Sequence, residues 1–241
     1  MSVYDYKQGK NRVESILDNH MEIEEKNRLP SDSNFTFENG YLSWVTAIFV
    51  DIRDSTELFS KNDESTAKIV RSFTSEIIEI LRAADNLREI GIRGDCVYAI
   101  YTTPNLTDEL ECANKTFEVN TFINMFNKLI EIRGGNKIRV GIGMATDKEL
   151  VIKAGRKNVD INNKVWIGKA VTMASKLSSY GDKDGYPRLF YSTSSYNNFI
   201  EELENQNIEA KSWFNQIGHL NAYYANVIKA DFNNWINNDF S

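Results

Sequence analysis

Histidine is nearly missing from this chain: His20 and His219 are the only two in 241 residues. A zinc site or a Ser-His-Asp triad would have to be built almost without imidazole, which argues against both. Cysteine is as scarce, with Cys96 and Cys112 alone, so no disulfide framework is implied and a reducing compartment suits the chain. No apolar run approaches the roughly 18 residues that span a bilayer, and the polar, mixed-charge start does not resemble a secretory signal. The expectation is a cytoplasmic protein without direct membrane insertion. A surplus of cations is lacking too. The net charge of −6 leaves nothing to coat a polyphosphate backbone, so no nucleic acid partner is expected. A single nucleotide remains open, because a few local cations and a metal suffice for it.

What is present is an ordinary globular composition, 41% hydrophobic and 26% charged, in a chain long enough for one large domain. Residues 5–29 read as a helix with Val13, Ile16, Leu17 and Met21 at helical spacing, and Pro30 then punctuates the chain. The organisation expected is an N-terminal helical arm over 1–40, a main domain over 41–230 and a tail over 231–241. Residues 44–51 are apolar like a central strand covered on both faces. A helix over 63–84 follows, with Ile69, Phe73, Ile77, Ile80 and Leu81 on one stripe. Two short strands, 87–92 and 96–101, flank a tight Arg93-Gly94-Asp95 turn. Further on come a helix over 107–132, strands over 137–145 and 149–154, a basic Asn-rich loop over 156–164 and a helix over 169–180. The hairpin excludes an all-parallel sheet, so the fold class is α+β with a mixed sheet.

Two aspartates concentrate the chemistry. Asp51 ends the apolar run from Trp44 to Val50, and Asp95 sits in the hairpin turn. A carboxylate at the lip of a buried strand needs a compensating partner. Two of them converging make a hard oxygen site for divalent metals that handle phosphates. Taken alone, Asp51 would more readily be a strand-end residue beside a helix start; the matched second aspartate favours metal binding.

The segment Phe49-Val50-Asp51-Ile52-Arg53-Asp54-Ser55-Thr56 resembles the first metal motif of the class III nucleotidyl cyclases, F-x-D-[IL]-x-x-[FS]-T. Arg93-Gly94-Asp95 resembles their second metal motif, and Arg139-Val140-Gly141-Ile142 their R-V-G-[IL] strand. The run from Trp166 to Leu177 is similar to their G-x-x-V-N-x-A-[AS]-R helix, with Thr172 in place of the Asn and Lys176 in place of the Arg. Purine-specific members carry a Lys where this chain has Gly91, and an Asp or Cys where it has Val165; neither residue here reads a purine edge by hydrogen bonding. With its short length and lack of sensor domains, the chain looks like the Pycsar antiphage cyclases, which make cyclic UMP or cyclic CMP.

The resemblance implies a ferredoxin-like cyclase domain, two Mg2+ or Mn2+ ions held by Asp51, Asp95 and the Ile52 carbonyl, and a homodimer with its sites at the subunit boundary. It implies catalytic roles for Lys176 and Thr172, set against a solvated helix lysine and a helix-facing filler. Arg93 is a candidate for the base or a phosphate, balanced by a surface arginine paired with an acid. The substrate the resemblance implies is UTP in preference to CTP, with a downstream effector expected to read the cyclic product. A conventional adenylate or guanylate cyclase and a non-catalytic nucleotide-binding module stay open as alternatives.

Overall fold

A computed structural model describes residues 3–60, 63–157 and 161–238. The chain forms two compact units. One joins the described residues through Ser43 to Leu150–Ile167; the other comprises Trp44–Glu149 and the described residues from Gly168 onward. The long strands β2 (Asn39–Ile52) and β5 (Val140–Arg156) contribute to both.

In the larger unit the order is β2, α2 (Ser55–Phe59), α3 (Glu64–Arg82), β3 (Leu87–Arg93), β4 (Cys96–Thr102), α4 (Leu106–Ile132) and β5. The strands lie side by side as β3-β4-β2-β5, with β2–β4 and β3–β4 antiparallel. This is the βαββαβ arrangement of the ferredoxin-like fold expected from sequence. Beyond β5 the sheet continues through β7 (Leu189–Ser192), parallel to β5, then β9 (Ala222–Ala225) and β8 (Phe214–Ile217), both antiparallel steps. The sheet is therefore mixed.

Strand alternation divides the side chains between two faces. Ile48 and Val50 of β2, Val97 and Ala99 of β4 and Ile142 of β5 join Phe73, Ile77 and Leu81 of α3 and Phe117, Phe122 and Ile123 of α4 in the main core. The stripe read on α3 is thus the buried face of that helix. The opposite face receives α5 (Ala170–Ser178), whose Leu177 packs with Phe190, Ile217 and Ala222. Here the glycines of β5 matter. A Cβ on Gly141 would collide with the Ser178 carbonyl, and one on Gly143 with the Ala174 carbonyl. Without side chains at these two positions the helix backbone rests directly on the strand. The segment after Leu220 closes with α7 (Ala230–Asn238), whose Ile236 is buried and accepts a bond from Lys128 Nζ at 2.6 Å; α6 (Thr193–Gln206) covers the other end of α4.

Three local readings need correction. The helix expected over 5–29 stops at Leu17 as α1 (Tyr6–Leu17), and Glu22–Glu25 forms β1, parallel to β2. The hydrogen-bonding edge that converts this charged segment to a strand lies in β2, out of reach of local periodicity. The two strands expected over 137–145 and 149–154 are one strand, β5, which passes through Asp147 and Lys148 without a break. The loop expected over 156–164 is largely strand: Ile161–Ile167 forms β6, antiparallel to β5, with 158–160 outside the described residues. A polar edge strand carries no apolar alternation to announce it.

Candidate active site

The site grows from one piece of register. Asp51 pairs with Cys96 across β2 and β4, and the β3–β4 hairpin closes with Arg93 opposite Cys96. Gly94 has φ +64 while Asp95 is not left-handed, the type II′ pattern that a two-residue hairpin favours. Asp95 therefore directly precedes the residue that faces Asp51, and both carboxylates stand at the same end of neighbouring strands.

Arg53 is the ion-pair partner of the first of them. Its guanidinium pairs with the Asp51 carboxylate and donates to the Ser179 carbonyl at 2.9 Å, just past the end of α5. Burial pulls its pKa down, and the charges of Asp95 and Asp54 oppose that shift. The first motif is also tied to the strand motif. The Arg53 amide donates to the Arg139 carbonyl at 2.8 Å, and the Arg139 guanidinium pairs with Asp54. Asp54 adopts φ 54, a left-handed conformation that Asp tolerates better than most residues. A small cleft of about 190 Å³ opens beside this junction, lined by Ile52, Arg53, Asp54 and Arg139. A larger groove of about 460 Å³ between α3 and α4 is lined by Ile69, Phe122 and Phe126 and contains no motif residue, so size alone does not locate the chemistry.

The donor set suits hard divalent cations. The carboxylates of Asp51 and Asp95 are hard oxygen donors, and the buried side chain of Ile52, 3% exposed, leaves only its carbonyl as a donor. Among the described residues no group of three or more His, Cys, Asp and Glu forms a metal cage. Magnesium commonly uses one or two carboxylates and completes its shell with substrate phosphates and water. Cys96 is not a competing nucleophile, since burial pushes its thiol up to about 12.

Arg93 is exposed beside Cys96 and Tyr98, and its charge acts on both groups. Thr172 and Lys176 lie on the exposed side of α5, with the Thr172 hydroxyl donating to the Lys169 carbonyl at 3.2 Å. Among the described residues the Lys176 ammonium has no carboxylate partner. Tyr98 is a residue that sequence reasoning missed. It pairs with Gly91, stacks on Phe49 with ring centroids 5.4 Å apart, and donates to Glu89 Oε1 at 2.9 Å. A Cβ on Gly91 would lie 2.7 Å from the Tyr98 hydroxyl and 2.8 Å from its ring. The signal was available: a two-residue loop at Gly94-Asp95 forces Gly91 opposite Tyr98.

The model of the adenylate and guanylate cyclase catalytic domain matches residues 38–198. A uridylate cyclase of Treponema porcinum is 48% identical over 236 residues, covering 97% of this chain and 81% of its own length. A uridylate cyclase of Gulbenkiania mobilis is 31% identical, covering 75% of this chain and 73% of its own. Among solved structures, the adenylyl cyclase CyaB from P. aeruginosa superposes with a TM-score of 0.59 at 20% identity, over 68% of this chain and 83% of that one. With the four motifs in order on a ferredoxin-like sheet, the chain belongs to the class III nucleotidyl cyclases, the adenylate and guanylate cyclase catalytic-domain family.

Proposed function

We propose that this cyclase is a uridylate cyclase, converting UTP to 3′,5′-cyclic UMP and pyrophosphate. The observation that carries the pyrimidine reading is the Gly91–Tyr98 pair. At the position of the purine-reading lysine stands a glycine, and a stacked phenol fills the space above it. The Tyr98 hydroxyl, held protonated by burial and by its bond to Glu89, is the atom nearest that space. The two relatives named uridylate cyclase support the choice of uracil.

In this reading Asp51, Asp95 and the Ile52 carbonyl hold two Mg2+ or Mn2+ ions. Bound there, the ions supply acidification of the ribose 3′-hydroxyl and neutralisation of the triphosphate. The 3′-hydroxyl gives up its proton to solvent, O3′ forms a bond to the α-phosphorus as the bond from that phosphorus to the bridging oxygen breaks, and pyrophosphate leaves. Lys176 sets its ammonium against charge on the α-phosphate, as a point charge without the bidentate fork of an arginine. Thr172 offers a hydroxyl donor one helical turn away. Arg93 contacts the base or a phosphate from the hairpin. The exposed placement of Thr172 and Lys176 supports a homodimer in which each α5 serves the carboxylates of the other copy. The product is a cytoplasmic second messenger of bacterial antiphage defence, read by a downstream effector, a role that rests on the family resemblance.

The test is incubation with ATP, GTP, CTP and UTP in the presence of manganese, followed by identification of products. Cyclic UMP as the dominant product is expected. Cyclic CMP, a purine product, or binding without pyrophosphate release would each overturn the assignment.

A further inference from the structure

Helix α5 starts without a local cap. Lys169, at the N-cap position, makes no side-chain capping bond, whereas Asp5, Asp63 and Ser192 cap α1, α3 and α6 from that position. The acceptor comes from 21 residues upstream. Glu149 of β5 takes the Ala170 amide at 2.6 Å and the Val171 amide at 3.4 Å on one carboxylate oxygen. It is 0% exposed, and its second oxygen is buried without a partner. Burial raises its pKa, and the two amides counter that rise. Space for it is left by Gly168, where a Cβ would stand 2.7 Å from the carboxyl carbon. A serine at position 169 would cap the helix locally and without burying a carboxylate. What a distant cap adds is a fixed relation between helix and strand.

We propose that Glu149 is a positioning residue for the cyclase reaction. Its buried carboxylate, admitted by Gly168, fixes the axial placement of α5 on β5 and with it the reach of Thr172 and Lys176. Gly143 and Gly141 seat the second half of the helix, from Ala174 to Ser178; Glu149 stops it from sliding. The catalytic consequence rests on the proposed function, whereas the lock itself does not.

The experiment compares Glu149→Ala, Glu149→Gln and Gly168→Ala, each alone and combined with Lys176→Ala, in two readouts. Hydrogen exchange of the full chain reports the lock. Glu149→Ala should lose protection at the start of α5 while β2 and β4 keep theirs. Steady-state kinetics with manganese and UTP report the consequence. A displacement near 1 Å costs on the order of 100-fold, so kcat should fall by about 10- to 100-fold with little change in KM. Glu149→Gln, which keeps a carbonyl acceptor, should recover part of the loss. In the Lys176→Ala background the Glu149→Ala loss should largely vanish. Unchanged α5 protection, a folded Glu149→Ala with full kcat, or losses that multiply independently would each overturn the proposal. Should Glu149→Ala not fold, Gly168→Ala and Glu149→Gln carry the same comparison. A wild-type chain that cyclises no triphosphate would sink the functional reading instead, and the exchange arm would still decide the lock.

Discussion

At the scale of single residues, the two strand-end aspartates differ in what their loss exposes. Asp51 is the carboxylate partner of Arg53, whose side chain is only 11% exposed. Replacing Asp51 with Ala strands a largely buried guanidinium, so Asp51→Asn is the cleaner probe of metal binding. Asp51→Asn and Asp95→Ala should each lower turnover by at least about 100- to 1,000-fold. Thermal unfolding should stay within about 1 kcal/mol of wild type, since neither change opens the core. Full activity in either variant rules out the two-carboxylate assignment. Gly91 makes a different demand. An alanine there pushes on the Tyr98 ring, and the cost should be about 1–3 kcal/mol of stability by urea unfolding. The kcat/KM for UTP should fall with it as the Phe49–Tyr98 stack shifts. An unaffected UTP kcat/KM would separate Tyr98 from the base pocket.

At the scale of elements, α5 on β5 is a contact with little tolerance. A methyl group on Gly143 would meet both the Ala174 carbonyl and the Ser178 amide. These are backbone atoms, which cannot rotate away as a side chain can. Gly143→Ala should therefore destabilise by roughly 3 kcal/mol or more and depress kcat even at temperatures where the protein stays folded. Urea unfolding followed by kinetics on the folded fraction checks both; a neutral outcome would mean that α5 does not bear on the strand. Lys176→Arg should retain more activity than Lys176→Ala, because charge at that position matters more than shape.

At the scale of the whole molecule, stability carries a pH dependence from a group far along β2 from Asp51. Glu109 of α4 is 3% exposed and accepts bonds from Thr146 Oγ1 at 2.9 Å and Asn198 Nδ2 at 2.7 Å. Thr146 continues through Thr46 to Thr103, each link 2.8 Å. Burial, chiefly, raises the Glu109 pKa from 4.5 to about 7. For a carboxyl raised on folding, the native state binds more protons than the unfolded chain between those two values. Its contribution is therefore complete below about pH 4.5 and is lost as pH rises to about 7. The loss is on the order of 3 kcal/mol. Unfolding of wild type and Glu109→Gln from pH 4.5 to pH 8 should show the wild type alone losing this increment; parallel curves would contradict it. The proposed homodimer belongs to this scale too. Analytical ultracentrifugation should find two chains, and mixing Asp51→Asn with Lys176→Ala should restore activity if each site draws on both subunits.

The sequence by itself determined the order of the main elements, because periodicity and turn residues are local: the α3 stripe and the two-residue hairpin at Gly94 hold their expected places. It also supplied the four family motifs, since each is a short contiguous run of residues. What only the tertiary structure decided depends on partners distant along the chain. β1 and β6 are strands because β2 and β5 offer them hydrogen-bonding edges, not because of their own patterns. Arg53 finds Ser179, Arg139 finds Asp54, and Glu149 finds Ala170 across long separations that no local spacing encodes. Burial then raises the pKa of Cys96, Glu109 and Glu149, because desolvation is a property of what the fold packs around a group and not of the residue type.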